Sequence, residues 1–175
     1  MVRRLNHSTI IPLMELLTDL NNYFNTHLLV AAGLGALIGL ERELAGKDPS
    51  LRTFSLISLG SCTFTMVSSM ASAHIPTADP ARIAAQIVTG IGFIGAGAIF
   101  RSTRGGVSGL TTAALMWVTA AIGMAVGFDR LDIAVSATLL SILMIFGLQF
   151  VHKMIRLFRG PDKINPNAES TSVLE

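Results

Sequence analysis

The chain has 175 residues, of which 51% are hydrophobic and only 14% are charged, whereas a soluble domain carries about 25% charged residues. The length suits one compact domain, and the composition places the chain in the membrane class. The net charge of +2 is too small to predict nucleic-acid binding, and the single cysteine, Cys62, cannot form an intrachain disulfide. The first predicted partner is therefore a lipid bilayer, with no nucleic acid.

Five segments are predicted to cross the bilayer as helices, because each is apolar and about as long as the hydrocarbon core is thick. Before them, residues 1–22 form an N-terminal segment that is expected to include an interfacial helix. The predicted spans are 23–40, 53–73, 83–100, 110–128 and 133–151. The expected fold is an all-α integral membrane bundle of about five helices over residues 23–151, followed by a basic and then disordered tail over 152–175.

The distribution of basic residues predicts the orientation of these helices. Nine Lys and Arg residues follow the first, third or fifth span, and four lie at the other end. Because cytoplasmic loops are enriched in basic residues, we expect the N-terminus outside and the C-terminus in the cytoplasm. Arg3 and Arg4 argue for the opposite orientation.

Aspartates mark three of the expected helix starts. An aspartate can cap the first free N–H groups of a helix, and proline is favoured at the first helical position. A second acidic residue three positions later supports such a start. The predicted starts are Asp48-Pro49, Asp79-Pro80 and Asp129 with Asp132.

Small residues four positions apart predict close helix contacts on spans 1, 3 and 4, and the hydroxyl residues of span 2 share one face. That face is either a contact seam, with hydroxyls donating to carbonyls one turn earlier, or the lining of a hydrated cavity; the seam is favoured. Trp117 is expected to face the interior, where its N–H can find a partner. The sets are Ala31, Gly35 and Gly39; Val88, Gly92 and Ala96; Thr119, Gly123 and Gly127; and Ser58, Ser61, Thr65, Ser68 and Ser72.

The run Gly90-Ile-Gly92-Phe-Ile-Gly95 matches the dinucleotide-binding pattern GxGxxG, but we do not expect a nucleotide there. The motif requires a strand, a tight turn and a helix that begins at the pyrophosphate. Here the glycines lie within an uninterrupted apolar segment, and no acidic residue follows about 20 positions later. No cofactor is predicted.

One group of polar candidates lies between spans 1 and 2. Glu41, Arg42 and Glu43 close span 1, and Arg52 opens span 2. These side chains form either an interfacial cluster that pairs internally and with headgroups, or a set of ionisable groups near the bundle interior, where such groups are expensive and often functional. The residues do not decide between the two interpretations.

A second group lies at the start of span 3. Arg82 and Gln86 are four positions apart and share a face, and Asp79 is expected to cap the helix. Together with Asp129 and Asp132, Asp79 could attract a cation such as Mg²⁺, but neighbouring arginines make this weak support for a metal site. No nucleophile–base arrangement is present, so neither a metal site nor an enzyme is predicted.

At these residues the chain resembles the MgtC/SapB family of membrane proteins over roughly residues 28–150. The matching segments are GLGALIGLERE (33–43), LRT (51–53), DPARIAAQIVTGIGFIGAGAIF (79–100), VSGLTTAALMW (107–117) and AAIGMAVGF (120–128). The resemblance places the family's motif positions on Glu41, Arg42, Glu43, Arg52, Thr53, Asp79, Arg82, Gln86, Gly90, Gly92, Gly95, Gly97, Thr111, Thr112 and Trp117. The last seven are expected to pack helices.

The resemblance implies a multi-pass protein of the bacterial inner membrane that supports growth at low Mg²⁺ and survival inside host cells, a virulence-associated role. It implies action on the F-type ATP synthase and the membrane potential; the alternative is a transporter of Mg²⁺ or another cation. A third hypothesis is a structural part of a larger assembly, and a homodimer is a further expectation. MgtC itself carries a cytoplasmic regulatory domain after its fifth helix, and the roughly 24 residues after Val151 are too few for it.

Overall fold

The computed structural model of the chain describes residues 7–49, 51–73, 77, 79, 81–101 and 106–159. Within these residues five helices are connected by short turns and one small hairpin. Strands β1 and β2 pair antiparallel, with Phe100 opposite Ser108. The elements are α1 (His7–Leu44), α2 (Leu51–Ala73), α3 (Ala81–Gly97), β1 (Phe100–Arg101), β2 (Val107–Ser108), α4 (Leu110–Gly127) and α5 (Leu131–Arg159).

The all-α fold with five helices is confirmed, and four of these helices are long and apolar enough to cross a bilayer. They are α1 over Met14–Leu44, α2, α4, and α5 over Leu131–Leu148. Helix α3 has 17 residues and ends at Gly97, whereas the prediction extended span 3 to residue 100. The N–H groups of Ala98 and Ile99 donate to carbonyls three residues earlier, which tightens the last turn and leads the chain into β1.

Helix α1 is longer than the predicted span, because residues 7–22 continue it without a break. Pro12 lies in its second turn, where a missing N–H removes one helical hydrogen bond. Whether residues 7–22 lie at the membrane interface stays a prediction. The expectations for Arg3, Arg4, Pro80 and Arg104, and for the tail beyond residue 159, lie outside the described residues.

The three predicted helix starts have different outcomes. Asp79 caps α3 as predicted, since its Oδ1 accepts the N–H of Ala81 at 2.9 Å. The start at Asp48-Pro49 is wrong by two residues, because α2 begins at Leu51. The start at Asp129 is also wrong. Its φ of 58° and the bond from its N–H to the carbonyl of Val126 make it the residue that ends α4, in the left-handed conformation typical of helix C-termini.

The chain forms two compact units, residues 1–142 and residues 143–175. In the first, α2 and α4 pack against each other, and each also packs against α1 and α3. Ile122 and Ala120 of α4 are buried in this core together with Ile38 and Phe54. Within the same unit, α5 buries the small side chains of Ala134 and Thr138. The described part of the second unit, residues 143–159, consists of the last turns of α5.

Four glycines allow α1, α2 and α4 to approach closely. A Cβ placed on Gly35 would lie 2.5 Å from the carbonyl oxygen of Phe54, and one on Gly39 would lie 2.5 Å from the Cα of Leu51. On α4, a Cβ on Gly123 would overlap the backbone carbonyl of Ser58, and one on Gly127 would lie 2.7 Å from the Cβ of Thr65. These contacts also show that α4 runs parallel to α2, whereas α1 runs antiparallel to it.

The predicted seam on span 3 is wrong, because Val88, Gly92 and Ala96 are exposed. A Cβ placed on Gly90, Gly92 or Gly97 would meet no atom of the described chain within 4 Å. Helix α3 instead buries Ile91 and Gly95, and Gly95 lies in ordinary contact with Ala113 of α4. Small residues occur on several faces of α3, so their spacing alone did not identify the face that packs.

The hydroxyl face of α2 lies in the packed core. Ser58, Ser61, Thr65 and Ser68 are buried. The hydroxyl of Thr65 donates to the carbonyl of Ser61 at 2.8 Å, and that of Ser72 donates to the carbonyl of Ser68 at 2.8 Å. This is the contact seam that the sequence favoured, with Gly35, Gly123 and Gly127 packed against it.

Trp117 does not face the interior as predicted, since 53% of its surface is exposed. The neighbouring positions explain why. Met116 and Thr119 are buried. Because successive residues of a helix are rotated by about 100°, Trp117 points away from the buried face. Thr112 is likewise buried, while Thr111 is exposed. The packed face of α4 is therefore set by Thr112, Met116 and the glycines.

A matched pair of glycine variants tests the close approach of α1 and α2. We expect Gly35→Ala to lower the free energy of unfolding by about 1–3 kcal/mol, because the added methyl overpacks against backbone. Gly33→Ala adds the same methyl into open space and should raise it by up to about 1 kcal/mol through helix propensity. Thermal unfolding of the purified chain in detergent, followed by circular dichroism, measures both. Equal effects at the two positions would contradict the packing described.

The exposure of Trp117, the single tryptophan of the chain, can be measured directly. In proteoliposomes, lipids brominated on their acyl chains should quench most of the tryptophan fluorescence, because bromine quenches on contact and the indole faces lipid. A water-soluble quencher such as iodide should have little effect. Efficient quenching by iodide, or protection from both quenchers, would be the contrary result.

Candidate functional site

The centre of the candidate site is a buried ion pair between adjacent residues at the end of α1. Arg42 donates from Nε to Oε2 of Glu41 at 2.5 Å and from Nη2 to Oε1 at 2.7 Å. Only 1% of the Arg42 surface and 6% of the Glu41 surface is exposed. The bidentate geometry neutralises both charges within the protein.

The close approach of α1 and α2 explains why this pair is buried. Gly39 lies against Leu51, so the last turns of α1 pack on the first turn of α2. The N–H of Lys47 then donates to the carbonyl of Arg42 at 3.0 Å, which closes the loop between the helices. The sequence left open whether Glu41 and Arg42 are interfacial or interior, and the structure places both in the interior.

Two buried side-chain atoms of the described residues have no hydrogen-bond partner, namely Nη1 of Arg42 and, farther along the bundle beside Gly35, Oγ of Ser58. An unsatisfied buried donor costs about 1–3 kcal/mol, and more when the group is charged. A buried ion pair is therefore a weak source of stability, because desolvation offsets much of the attraction. Such a pair is easier to explain by function than by folding.

The other predicted members of this group lie outside the core. Glu43 and Arg52 are exposed, and Thr53 is half-buried. Thr53 lies at one end of a groove between α2 and α3, and Gln86 lines the same groove from α3. The structure thus brings Glu41 and Arg42 together and leaves Glu43 and Arg52 at the surface of the same end of the bundle.

The polar residues at the start of α3 form a separate group. Asp79 is occupied in capping the helix, and Arg82 and Gln86 are exposed on one face. Since α3 runs from the end of the bundle where α1 begins to the end where α1 terminates, these residues lie far from Glu41 and Arg42. The eight polar candidates therefore do not form a single site.

A network at the other end of the bundle was missed by the sequence analysis. Asp129 accepts a hydrogen bond from the Tyr23 hydroxyl at 2.5 Å, and its Oδ1 lies 2.8 Å from Nε2 of His27. The second ring nitrogen of His27 lies 2.8 Å from the carbonyl oxygen of Tyr23. Both ring nitrogens of His27 thus face oxygen atoms. The four-residue spacing of Tyr23 and His27 was a signal that they share a face, but the sequence gave no sign of their partner.

The pKa of the Asp129 carboxyl is held below its usual value, chiefly by the hydrogen bond from the Tyr23 hydroxyl. Desolvation opposes this effect, and the hydrogen bond from His27 adds to it. A lowered pKa means that the ionised carboxylate stabilises the folded state. The network therefore ties α1 to the turn between α4 and α5.

The aspartates that could have attracted a cation are each engaged by the chain itself. Asp129 is held by Tyr23 and His27, and Asp132 pairs with Arg130 at 2.8 Å. Among the described residues no three His, Cys, Asp or Glu side chains are grouped as metal ligands. Asp79, Asp129 and Asp132 thus contribute to helix ends and turns.

Apolar helices of spanning length, packed through glycines around a buried ion pair, define a multi-pass helical membrane protein. The sequence profile of the MgtC family matches residues 28–154, and the chain belongs to the MgtC family.

Three relatives illustrate the similarity. Protein SapB of Bacillus subtilis (strain 168) is 39% identical over 140 residues, covering 77% of this chain and 59% of SapB. The putative magnesium transporter YhiD of Escherichia coli (strain K12) is 42% identical over 127 residues, covering 70% of this chain and 59% of YhiD. Protein MgtC of Brucella abortus (strain 2308) is 45% identical over 105 residues, covering 60% of this chain and 42% of that protein. The chain thus spans about half the length of these relatives. No solved structure matches the chain.

The Asp129 network predicts a stability that depends on acid pH. Because the folded pKa is lowered, the stabilisation is present above the unfolded value of about 4 and is lost as the pH falls through the folded value. Tyr23→Phe should lower the free energy of unfolding near neutral pH by about 1 kcal/mol, a modest figure because the group is exposed. Asp129→Asn should weaken the dependence on acid pH.

Unfolding in detergent at a series of pH values measures both variants. Asp19→Asn, an exposed substitution on α1 without a described partner, is the control and should behave as the unmodified chain. An acid transition that is unchanged by Asp129→Asn would show that the network does not contribute.

Proposed function

We propose that this chain is a bacterial inner-membrane protein that supports growth at low Mg²⁺ by acting on another membrane complex, and not by carrying Mg²⁺ itself. The proposed target is the F-type ATP synthase, with an effect on the membrane potential and on survival in host cells. Family membership supports the link to Mg²⁺, and one relative is named as a putative magnesium transporter. The buried pair of Glu41 and Arg42 is the observation that favours regulation over transport.

A path for Mg²⁺ needs oxygen ligands that are free to replace part of the ion's tightly held water. Within the described residues Glu41 is the buried acidic side chain, and both of its oxygens are engaged by Arg42. The guanidinium cannot lose its proton in a protein, so a cation that approached Glu41 would also meet a fixed positive charge. This arrangement disfavours a cation path through Glu41.

The same pair offers a way to respond to a partner. Nη1 of Arg42 and Oγ of Ser58 are buried without acceptors, so a rearrangement that supplies them with oxygen partners would recover free energy. Contact between this chain and another membrane protein could then shift the packing of α1 on α2. We infer that Glu41 and Arg42 are the residues through which such contact is sensed.

The role of the pair is tested by Arg42→Lys in a strain that lacks the chromosomal copy. Lysine keeps the charge but loses the bidentate geometry, so we expect the variant to reach the membrane and fail to restore growth at low Mg²⁺. Lys47→Arg, an exposed substitution at the same end of the bundle, is the control and should restore growth fully. Membrane levels are compared by immunoblot, and full growth with Arg42→Lys would count against the proposal.

Transport and regulation are separated by two further measurements. Proteoliposomes that contain only the purified chain should show no saturable uptake of Mg²⁺, and crosslinking in native membranes should recover subunits of the F-type ATP synthase. Cellular ATP should change when the gene is deleted. Saturable Mg²⁺ uptake that is lost with Asp79→Ala would establish the transporter instead, and recovery of the chain alone with unchanged ATP would refute regulation.

A further inference from the structure

A wide apolar groove lies between α2 and α3, and neither the buried ion pair nor the Asp129 network makes use of it. The groove has a volume of about 900 Å³ and is lined by six residues of α2 and seven of α3. Its wall on α2 runs from Thr53 to Phe64, which is about 16 Å along a helix. That length is about half the thickness of the hydrocarbon core, so the groove is as long as one leaflet is deep.

Missing side chains on both walls create the width of the groove. Gly60 on α2 and Gly90 on α3 line it, and a Cβ on either would meet no described atom within 4 Å. The rims are apolar and open to the surroundings of the bundle. Leu56 and Phe64 are largely exposed, and Phe93 is 84% exposed. In a bilayer such a groove is filled by hydrocarbon, since it offers few groups that a polar ligand could pair with.

The ends of the groove differ in charge. Arg52 lies four residues before Leu56, so it continues the groove face of α2 by one turn. Because α3 runs antiparallel to α2, Arg101, just beyond α3, lies at the same end. Both arginines are exposed and have no described acidic partner. At the opposite end, Arg82 is also exposed, and Asp79 lies three residues before it.

We propose that the groove between α2 and α3 binds an anionic phospholipid, with an acyl chain along the groove and the headgroup phosphate held by Arg52 and Arg101. The apolar walls match the chain, and two unpaired guanidinium groups at one end match the phosphate, which arginine binds with paired N–H donors. In the predicted orientation this end faces the cytoplasm, where anionic lipids are concentrated. The lipid would fill the space that α2 and α3 leave between them.

The experiment uses the full chain purified in detergent and native mass spectrometry to count retained lipids. Phosphatidylglycerol should be retained in preference to phosphatidylcholine with the same acyl chains. Glycerol 3-phosphate, which has the headgroup phosphate but no chain, should not compete at equal concentration. Arg52→Gln and Arg101→Gln should each weaken retention of phosphatidylglycerol about tenfold. Lys47→Gln, an exposed cation at the same end that lies outside the groove, is the control and should leave retention unchanged.

A second pair of variants tests the groove itself. Gly90→Leu should fill the groove and abolish retention of both phospholipids, whereas Gly92→Leu places the same side chain on the outward face of α3 and should have no effect. The arginine variants are at exposed positions, so they decide the question even if Gly90→Leu does not fold. Three outcomes would each overturn the proposal. The first is equal retention of the two phospholipids, and the second is an effect of Lys47→Gln as large as that of Arg52→Gln. The third is crosslinking that finds a second copy of the chain or another protein's helix in the groove.

Discussion

The close approach of α1, α2 and α4 is the constraint on which the rest of the structure depends. Helices in a bilayer gain little from the hydrophobic effect when they associate, so packing and interhelical contacts must hold them. At Gly35, Gly39 and Gly123 the backbone of one helix lies where a side chain would otherwise stand. This contact brings Ser58 and its neighbours on α2 into the core and leaves α4 with a fully packed face.

The same close contact also bears on the buried ion pair and on the hydrogen-bond donor that this pair leaves without a partner. Gly39 lies against Leu51, and Arg42, three residues later on α1, is buried. The arginine folds back onto the adjacent Glu41 and retains an unpaired Nη1. A chain selected only for stability would replace this pair with apolar side chains, which pack at no desolvation cost. Its burial beside the close contact of α1 and α2 supports a role in function.

The sequence predicted the helices well because apolar length and small-residue spacing are local properties. Gly35, Gly39, Gly123 and Gly127 lie in the four-residue series that were predicted to pack, and they pack against α2. The same reasoning failed for Val88, Gly92 and Ala96, because α3 carries small residues on several faces and periodicity does not say which face meets a neighbouring helix. Asp129 was misassigned for a related reason. An aspartate between two helices can cap the start of the second helix or lie at the end of the first. The contacts of Asp129 with Tyr23 and His27 depend on residues about 100 positions away in the chain.

The two sides of α2 show how tight and loose packing complement each other. Toward α1 and α4, α2 presents hydroxyl groups and meets glycine backbones without space for a methyl group. Toward α3, it presents Gly60 and leaves a groove of about 900 Å³. The buried residues of helix α3 are Ile91 and Gly95, so α3 is less completely packed than α2 or α4. A lipid in that groove would complete the packing of α3. The bundle would then have a rigid part that holds the ion pair and a lipid-supported part whose position depends on the composition of the membrane.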